Sequence, residues 1–197
     1  MTISPHVGIL AIQGDVAAHA RALQRAGAQT CEVRTEKDLD RLDALVLPGG
    51  ESTTISKGMA RLGLYGPLRE RIRAGMPVLG TCAGAIVLAR EVTNPAQKGL
   101  GLIDVAIERN AYGRQVDSFV AEVPCPALGA AMPAVFIRAP RIRRTGPGVE
   151  VVGRLAEEPV LVREGNVVAA TFHPELTPDR RLHAMLFSKA GAERRSA

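Results

Sequence analysis

Four short apolar runs in this 197-residue chain each end in a small cluster of glycine and chemistry-bearing residues. Residues 7–12 stop at Gln13-Gly14-Asp15, residues 44–47 at Pro48-Gly49-Gly50, residues 76–79 at Gly80-Thr81-Cys82, and residues 167–172 at His173-Pro174-Glu175. Continuous apolar runs this short, closed by glycine or proline, suit strands buried on both faces of a parallel sheet. Helical patterns lie between them. Residues 16–26 read as a helix with Asp15 as N-cap and Gly27 as its stop, and further helices are expected over 53–61, 68–74 and 83–89. Residues 29–33 supply another strand. The βαβα order predicts an α/β fold with a mainly parallel sheet flanked by helices. In such sheets ligands bind outside the carboxyl ends of the strands, which is where all four clusters fall.

The second half changes character. Residues 102–108, 118–123 and 135–137 read as strands with few helices between them, and 160–162 and 167–170 flank a hairpin turn at Glu164-Gly165-Asn166. Antiparallel additions to the sheet are therefore expected in the C-terminal half. Thr177 and Pro178 suit the N-cap and first position of a last helix running to about Lys189, with residues 192–197 a frayed tail. Residues 37–43, with alternating charge, read as a solvated helix. No repeat and no long linker divides the chain, so one domain over 1–197 is expected.

Composition narrows the function classes. Apolar residues make up 46% but aromatics only 3%, so the core must be aliphatic. The net charge of +5 is scattered apart from 138–144 and Arg194-Arg195, which reads as solvated surface rather than a nucleic-acid footprint. Cys31, Cys82 and Cys125 form no paired framework and no Cys-x-x-Cys, which favours a reducing compartment and argues against a structural metal site. The first apolar run is too short to span a bilayer and follows no basic leader. A cytoplasmic protein without membrane partners is the expectation.

The chemistry centres on Cys82. A thiol between Gly80 and Gly84 on a strand-to-helix turn is the sulfur counterpart of the Gly-x-Ser-x-Gly elbow, with the helix start favouring thiolate and offering backbone N–H groups to an oxyanion. Taken alone, it reads equally as a buried cysteine beside packing glycines. His173 and Glu175 change that balance, because a carboxylate two residues from an imidazole can take its second N–H and fix its tautomer. Thiol, base and acid together suit attack on an amide or ester. Gly49 and Gly50 could present backbone groups to a substrate, and Gln13-Gly14 borders the same rim. Cys31 and Cys125 read as packing or loop residues, His6, His19 and His183 show no ligand spacing, and Gly99-Leu100-Gly101 lacks the Lys-Ser/Thr of a phosphate loop.

The segments Gly80-Thr81-Cys82-Ala83-Gly84 and His173-Pro174-Glu175 resemble those of class I (triad) glutamine amidotransferases. Leu10 to Asp15, Leu47 to Thr54, Glu108-Arg109-Asn110, Tyr112 to Phe119, Phe136 to Pro140 and Phe172 to Thr177 are similar, more narrowly, to the glutaminase subunits of pyridoxal 5′-phosphate synthases. The likeness runs from Val7 to about Phe187, leaving 124–134 and the tail unmatched. It implies that Cys82 attacks the side-chain carboxamide of L-glutamine to form a glutamyl thioester, with His173, oriented by Glu175, moving the proton. It implies that Gly49, Gly50 and Glu51 bind glutamine, with Gly50 near the oxyanion, and that Arg109, Ile137 and Arg138 hold its amino-acid end. Gln13 would lie near the oxyanion hole at a surface shared with a partner. That partner would be a (β/α)₈-barrel synthase subunit in a large ring-cored complex whose docking turns on the glutaminase. The chain itself would carry no cofactor and no metal.

A separate argument favours such a partner, because ammonia released into neutral water becomes non-nucleophilic ammonium and this chain shows no second site to use it. The competing expectations are a glutaminase subunit of another synthetase, a non-catalytic docking protein, and a stand-alone γ-glutamyl hydrolase.

Overall fold

A computed structural model describes residues 4–109 and 118–188. Strands and helices alternate through the first half as β1 (His6–Leu10), α1 (Val16–Arg25), β2 (Gln29–Val33), β3 (Ala44–Leu47), α2 (Ser52–Arg61), α3 (Tyr65–Arg73), β4 (Val78–Thr81) and α4 (Ala83–Leu88). Strands then dominate: β5 (Ala89–Thr93), β6 (Ile103–Glu108), β7 (Ser118–Val123), β8 (Met132–Ile137), β9 (Arg141–Thr145), β10 (Glu150–Leu155), β11 (Glu158–Glu164) and β12 (Val167–Ala170), before α5 (Arg181–Ser188).

A seven-stranded sheet in the order β10-β11-β12-β4-β3-β1-β2 forms the centre. From β12 to β2 its neighbours run parallel, while β10, β11 and β12 are joined antiparallel. The α/β architecture with antiparallel additions is thus the one expected. Alternate residues feed opposite faces, as the two-residue strand period requires. Leu45 and Leu47 pack with Ile55, Met59, Leu68 and Ile72 of α2 and α3. Val46, Ile9 and Leu79 face the other way, with Leu23 of α1, Leu182 and Leu186 of α5, Phe136 and Phe172. A three-stranded sheet, β5-β6-β9, and a two-stranded one, β7-β8, stand apart from the main sheet. Phe136 joins β8 to the core, stacking on Phe119 with ring centres 4.8 Å apart and lying 5.6 Å from the ring of Phe172.

Register decides what meets at the rim. Gly80 of β4 pairs with Leu47 on one side and Ala169 on the other, and Thr81 pairs with Ala170. The three strands therefore end level, and the residues that follow them emerge together.

Some local expectations fail. Residues 37–43 form no α-helix: a single 3₁₀ turn covers Glu36–Leu39 and ends at the extended Asp40, and Arg41 follows at φ 62°. The helix after Cys82 stops at Leu88, and Ala89 already opens β5. The last helix starts at Arg181 rather than Thr177, because Pro174–Leu176 forms a 3₁₀ turn and the Thr177 hydroxyl donates to the Pro174 carbonyl instead of capping forward. Strands β9 and β10 were not expected. The arginine-rich 138–144 segment is largely β9, where Arg141, Arg143 and Arg144 pair with Glu158, Glu108, Glu91 and Asp104. Residues 110–117, which carry most of the Tyr112-to-Phe119 segment, and the tail at 192–197 lie outside the described residues. Among the described residues no helix is long and apolar enough to cross a membrane.

Candidate active site

Cys82 follows β4 and is the N-cap of α4, with φ 48° and ψ −103°. That conformation is costly for any residue with a Cβ, and such strain concentrates at functional turns. The surroundings impose it. The Cys82 N–H donates to the Ala170 carbonyl of β12 at 2.8 Å, holding the backbone to the sheet. Gly84 lies so close under β3 that a Cβ there would collide with the Leu47 carbonyl. The residue is buried, and its sulfur lies 3.9 Å from the Ile137 carbonyl at the end of β8.

His173 leaves the end of β12 two residues beyond Phe172's neighbour Thr171, and its own N–H donates to the Val135 carbonyl of β8 at 2.8 Å. Its Nδ1 lies 2.7 Å from Glu175 Oε1, which assigns the proton to Nδ1 and leaves Nε2 for sulfur. Burial of the ring opposes charge. The hydrogen bonds with Cys82 and Glu175, and the attraction of both groups, outweigh it and push His173 up to about 10. Burial of Glu175 favours its neutral form, but the bond from His173 and the nearby His19 hold its carboxyl below the usual range. An imidazole hydrogen-bonded to a carboxylate thus stands beside the Cys82 side chain, an arrangement that can hold a proton drawn from sulfur on the ring.

Gly49 forms the wall beside this line. A Cβ on it would lie 2.5 Å from His173 Cε1 and 3.4 Å from Cys82 Cβ, so only glycine leaves room for the ring. Gly50, at φ 148°, turns the chain into Glu51. The Glu51 carboxylate is spent largely on local structure. It caps α2, accepting from the Thr53 N–H at 3.0 Å and the Thr54 N–H at 2.6 Å. Partial burial works against its charge, but these bonds and those of the two threonine hydroxyls win and lower its pKa to about 2. Arg109, just past β6, places Nη2 3.3 Å from Glu51 Oε1 and 3.0 Å from Thr53 Oγ1. Gln13 reaches over from the β1 end, its Oε1 accepting from the Glu51 N–H at 2.6 Å. Ile137 adjoins the sulfur, and Arg138 follows it in a positive-φ turn at 45° with an exposed side chain.

The ten residues singled out from sequence therefore fall into two touching groups. Gly49, His173 and Ile137 adjoin Cys82, with Glu175 behind the His173 ring. Gln13, Gly50, Glu51 and Arg109 form the adjacent wall, and Arg138 stands at the mouth beside Ile137.

One residue of the site escaped the sequence reading. His19, on α1, is fully buried and sends its Nε2 to within 3.3 Å of Glu175 Oε2. The available signal was its place on the buried stripe of α1 with Ala18, Ala22 and Leu23, where an imidazole needs a polar partner.

Comparison with known proteins places the chain in a family. Residues 9–190 match the SNO glutamine amidotransferase family. The chain is 52% identical to the pyridoxal 5′-phosphate synthase subunit PdxT of Acidothermus cellulolyticus over 97% of this chain and 96% of that protein. Against the subunit of the same name from Thermus thermophilus it is 53% identical, over 94% and 97%. A solved structure described as a glutamine amidotransferase superposes with a TM-score of 0.89 at 49% identity, covering 94% of this chain and 98% of that one. PurLQS from Thermotoga maritima, with a TM-score of 0.74 at 18% identity over 97% of each chain, shares the fold. With nearly full-length matches at about half identity, the chain belongs to the SNO glutamine amidotransferase family.

Proposed function

We propose that this chain is a single-domain glutaminase that hydrolyses L-glutamine to L-glutamate and ammonia, feeding the ammonia to a pyridoxal 5′-phosphate synthase subunit with which it assembles in the cytoplasm. The observation that carries the reading is His173, hydrogen-bonded to Glu175 and set beside Cys82 at the level ends of β4 and β12. The PdxT name of relatives at about half identity supports the partner.

With its pKa raised to about 10, His173 holds the proton drawn from the thiol on Nε2 while Nδ1 stays bonded to Glu175, which leaves the sulfur as the nucleophile. The sulfur attacks the side-chain carboxamide carbon of glutamine. The oxyanion that forms is received by backbone N–H groups at Gly50 and at the start of α4. Collapse breaks the C–N bond as His173 returns its proton to the nitrogen, so ammonia leaves and a glutamyl thioester remains. Water, deprotonated by His173, then attacks the thioester, and glutamate departs as the proton passes back to sulfur. Arg109 and Arg138 hold the amino-acid end, an Arg fork matching the α-carboxylate. Gln13, exposed at the β1 end, lies on the face the partner approaches.

The test is glutamate release from L-glutamine by the chain alone and with a pyridoxal 5′-phosphate synthase subunit, with Cys82→Ala as control. The expected result is release that depends on Cys82 and rises strongly with the partner. Full activity alone, unchanged by the partner, would instead identify a stand-alone γ-glutamyl hydrolase.

A further inference from the structure

Behind the triad lies a second, fully buried polar line. His19 Nε2 sits 3.1 Å from Thr81 Oγ1, on the residue before Cys82, and 3.3 Å from Glu175 Oε2. His19 Nδ1 sits 3.1 Å from Nε2 of His183 on α5. All four side chains are shut off from solvent. Glu175 Oε1 is taken by His173, while Oε2 has no aligned hydrogen bond among the described residues beyond this close approach of His19. A buried carboxylate oxygen left without a donor is costly, so what His19 presents to it matters.

The unpartnered atoms decide the tautomers. His183 Nδ1 is also buried and has no partner among the described residues. If it carried a proton, a buried N–H would be wasted, and His19 would have to donate from Nδ1, turning a bare Nε2 lone pair toward the Glu175 carboxylate. If His183 instead carries its proton on Nε2, it donates to His19 Nδ1, and His19 Nε2–H points at Thr81 Oγ1 with Glu175 Oε2 beside it at 3.3 Å. Both imidazole protons then have an acceptor. Burial pushes both imidazoles toward the neutral form, and within the neutral pair the choice is one of tautomer.

We propose that His19 is a positioning residue for the triad, its Nε2–H held by Thr81 Oγ1 against Glu175 Oε2 and its tautomer fixed by His183. It touches neither the substrate nor the sulfur. It holds the carboxylate whose other oxygen orients His173, and because it sits on α1, directly after Gln13-Gly14-Asp15, it ties the seating of that helix to the line of the triad. This role rests on the glutaminase reading for its kinetic consequence, but the tautomer does not.

Two measurements test it. In the intact chain, ¹⁵N NMR of the imidazoles is expected to show His19 protonated on Nε2 and bare on Nδ1, and the reverse assignment would overturn the proposal whether or not the chain proves to be a glutaminase. In the assembled complex, His19→Leu is expected to lower kcat by about 10- to 100-fold with KM for glutamine little changed, the pattern of a lost transition-state interaction. His19→Gln, whose amide N–H can stand near the original Nε2, is expected to recover most of that loss. Unchanged kcat in His19→Leu, an effect on KM alone, or a Gln variant as poor as Leu would each overturn it. Should His19→Leu fail to fold, the Gln variant and the tautomer still decide.

Discussion

Replacing Gly49 with alanine adds one methyl group at a place where its consequence can be worked out. The new Cβ would sit 2.5 Å from His173 Cε1, 3.0 Å from Nδ1 and 3.4 Å from Cys82 Cβ. Carbon atoms rest about 3.5–4.0 Å apart, so the ring must retreat by roughly 1 Å. The Nδ1–Oε1 bond of 2.7 Å has no slack for that. Glu175 is buried and cannot follow freely, so the bond stretches past its useful range. A misplacement of about 1 Å costs on the order of 10²-fold in rate. Stability should move far less. Gly49 does not have a positive φ, so alanine carries no backbone penalty there, and the stiffer unfolded chain returns about 0.4–1 kcal/mol. Gly50, at φ 148°, would not give so clean a test. The expected outcome is a kcat for glutamate release in the complex down about 100-fold, with a midpoint of thermal unfolding within a few degrees of wild type. Slower alkylation of Cys82 by iodoacetamide in the isolated chain should accompany it. A variant with kcat within about threefold of wild type would refute the claim that Gly49 sets the position of the ring.

Acid should weaken the fold through His183. Burial and its neighbour His19 lower it to about 4, against the attraction of Glu175. The unfolded chain takes up this proton near pH 6.5 and the folded chain only near 4, so the stabilisation is present above 6.5 and is lost as pH falls toward 4. Between pH 7 and pH 5 that amounts to about 2 kcal/mol from this residue. Denaturant titrations should show wild type losing about that much more than His183→Gln over the same interval, and parallel losses would contradict it. Asn166, in the turn between β11 and β12, donates to the Ile72 and Met76 carbonyls at 2.8 and 2.7 Å. Asn166→Ala should cost about 1–3 kcal/mol in urea unfolding yet leave kcat unchanged, since it strands two carbonyls far from the sulfur.

The parts of this fold that were legible in the sequence share a cause. Strands β1, β3, β4 and β12 are buried on both faces, so each is a continuous apolar run, and each ends where the chain must turn within one or two residues. That made the rim, and with it Cys82, His173 and Glu175, readable directly. Strand β9 was not, because a strand on a small sheet shows one face to solvent. Ile142 alone marks its buried side, and the arginines, each matched to a carboxylate distant in sequence, look like mere surface charge. The start of α5 was misplaced because Thr177 bonds backward to Pro174, a choice dictated by the 3₁₀ turn that seats Glu175. His19 was invisible for a simpler reason. Its partner His183 lies 164 residues away, and a lone histidine in an alanine-rich helix carries no local mark of what it will meet. Glu51 was read for substrate, while its carboxylate also serves as the cap of α2.

The small β7–β8 ribbon has an evolutionary consequence. Ile137 and Arg138 reach the mouth of the site from this ribbon, whereas Cys82, His173 and Glu175 issue from the main sheet or the turn that follows it. The ribbon is anchored through Val123, Met132, Ala134 and Phe136, and Pro124 to Ala131 connects its strands outside the sheet. Arg181 clamps that connection through the Leu128, Ala130 and Ala131 carbonyls, and β8 holds the His173 N–H, so any drift that loosens the grip on substrate also reaches the bond-breaking apparatus.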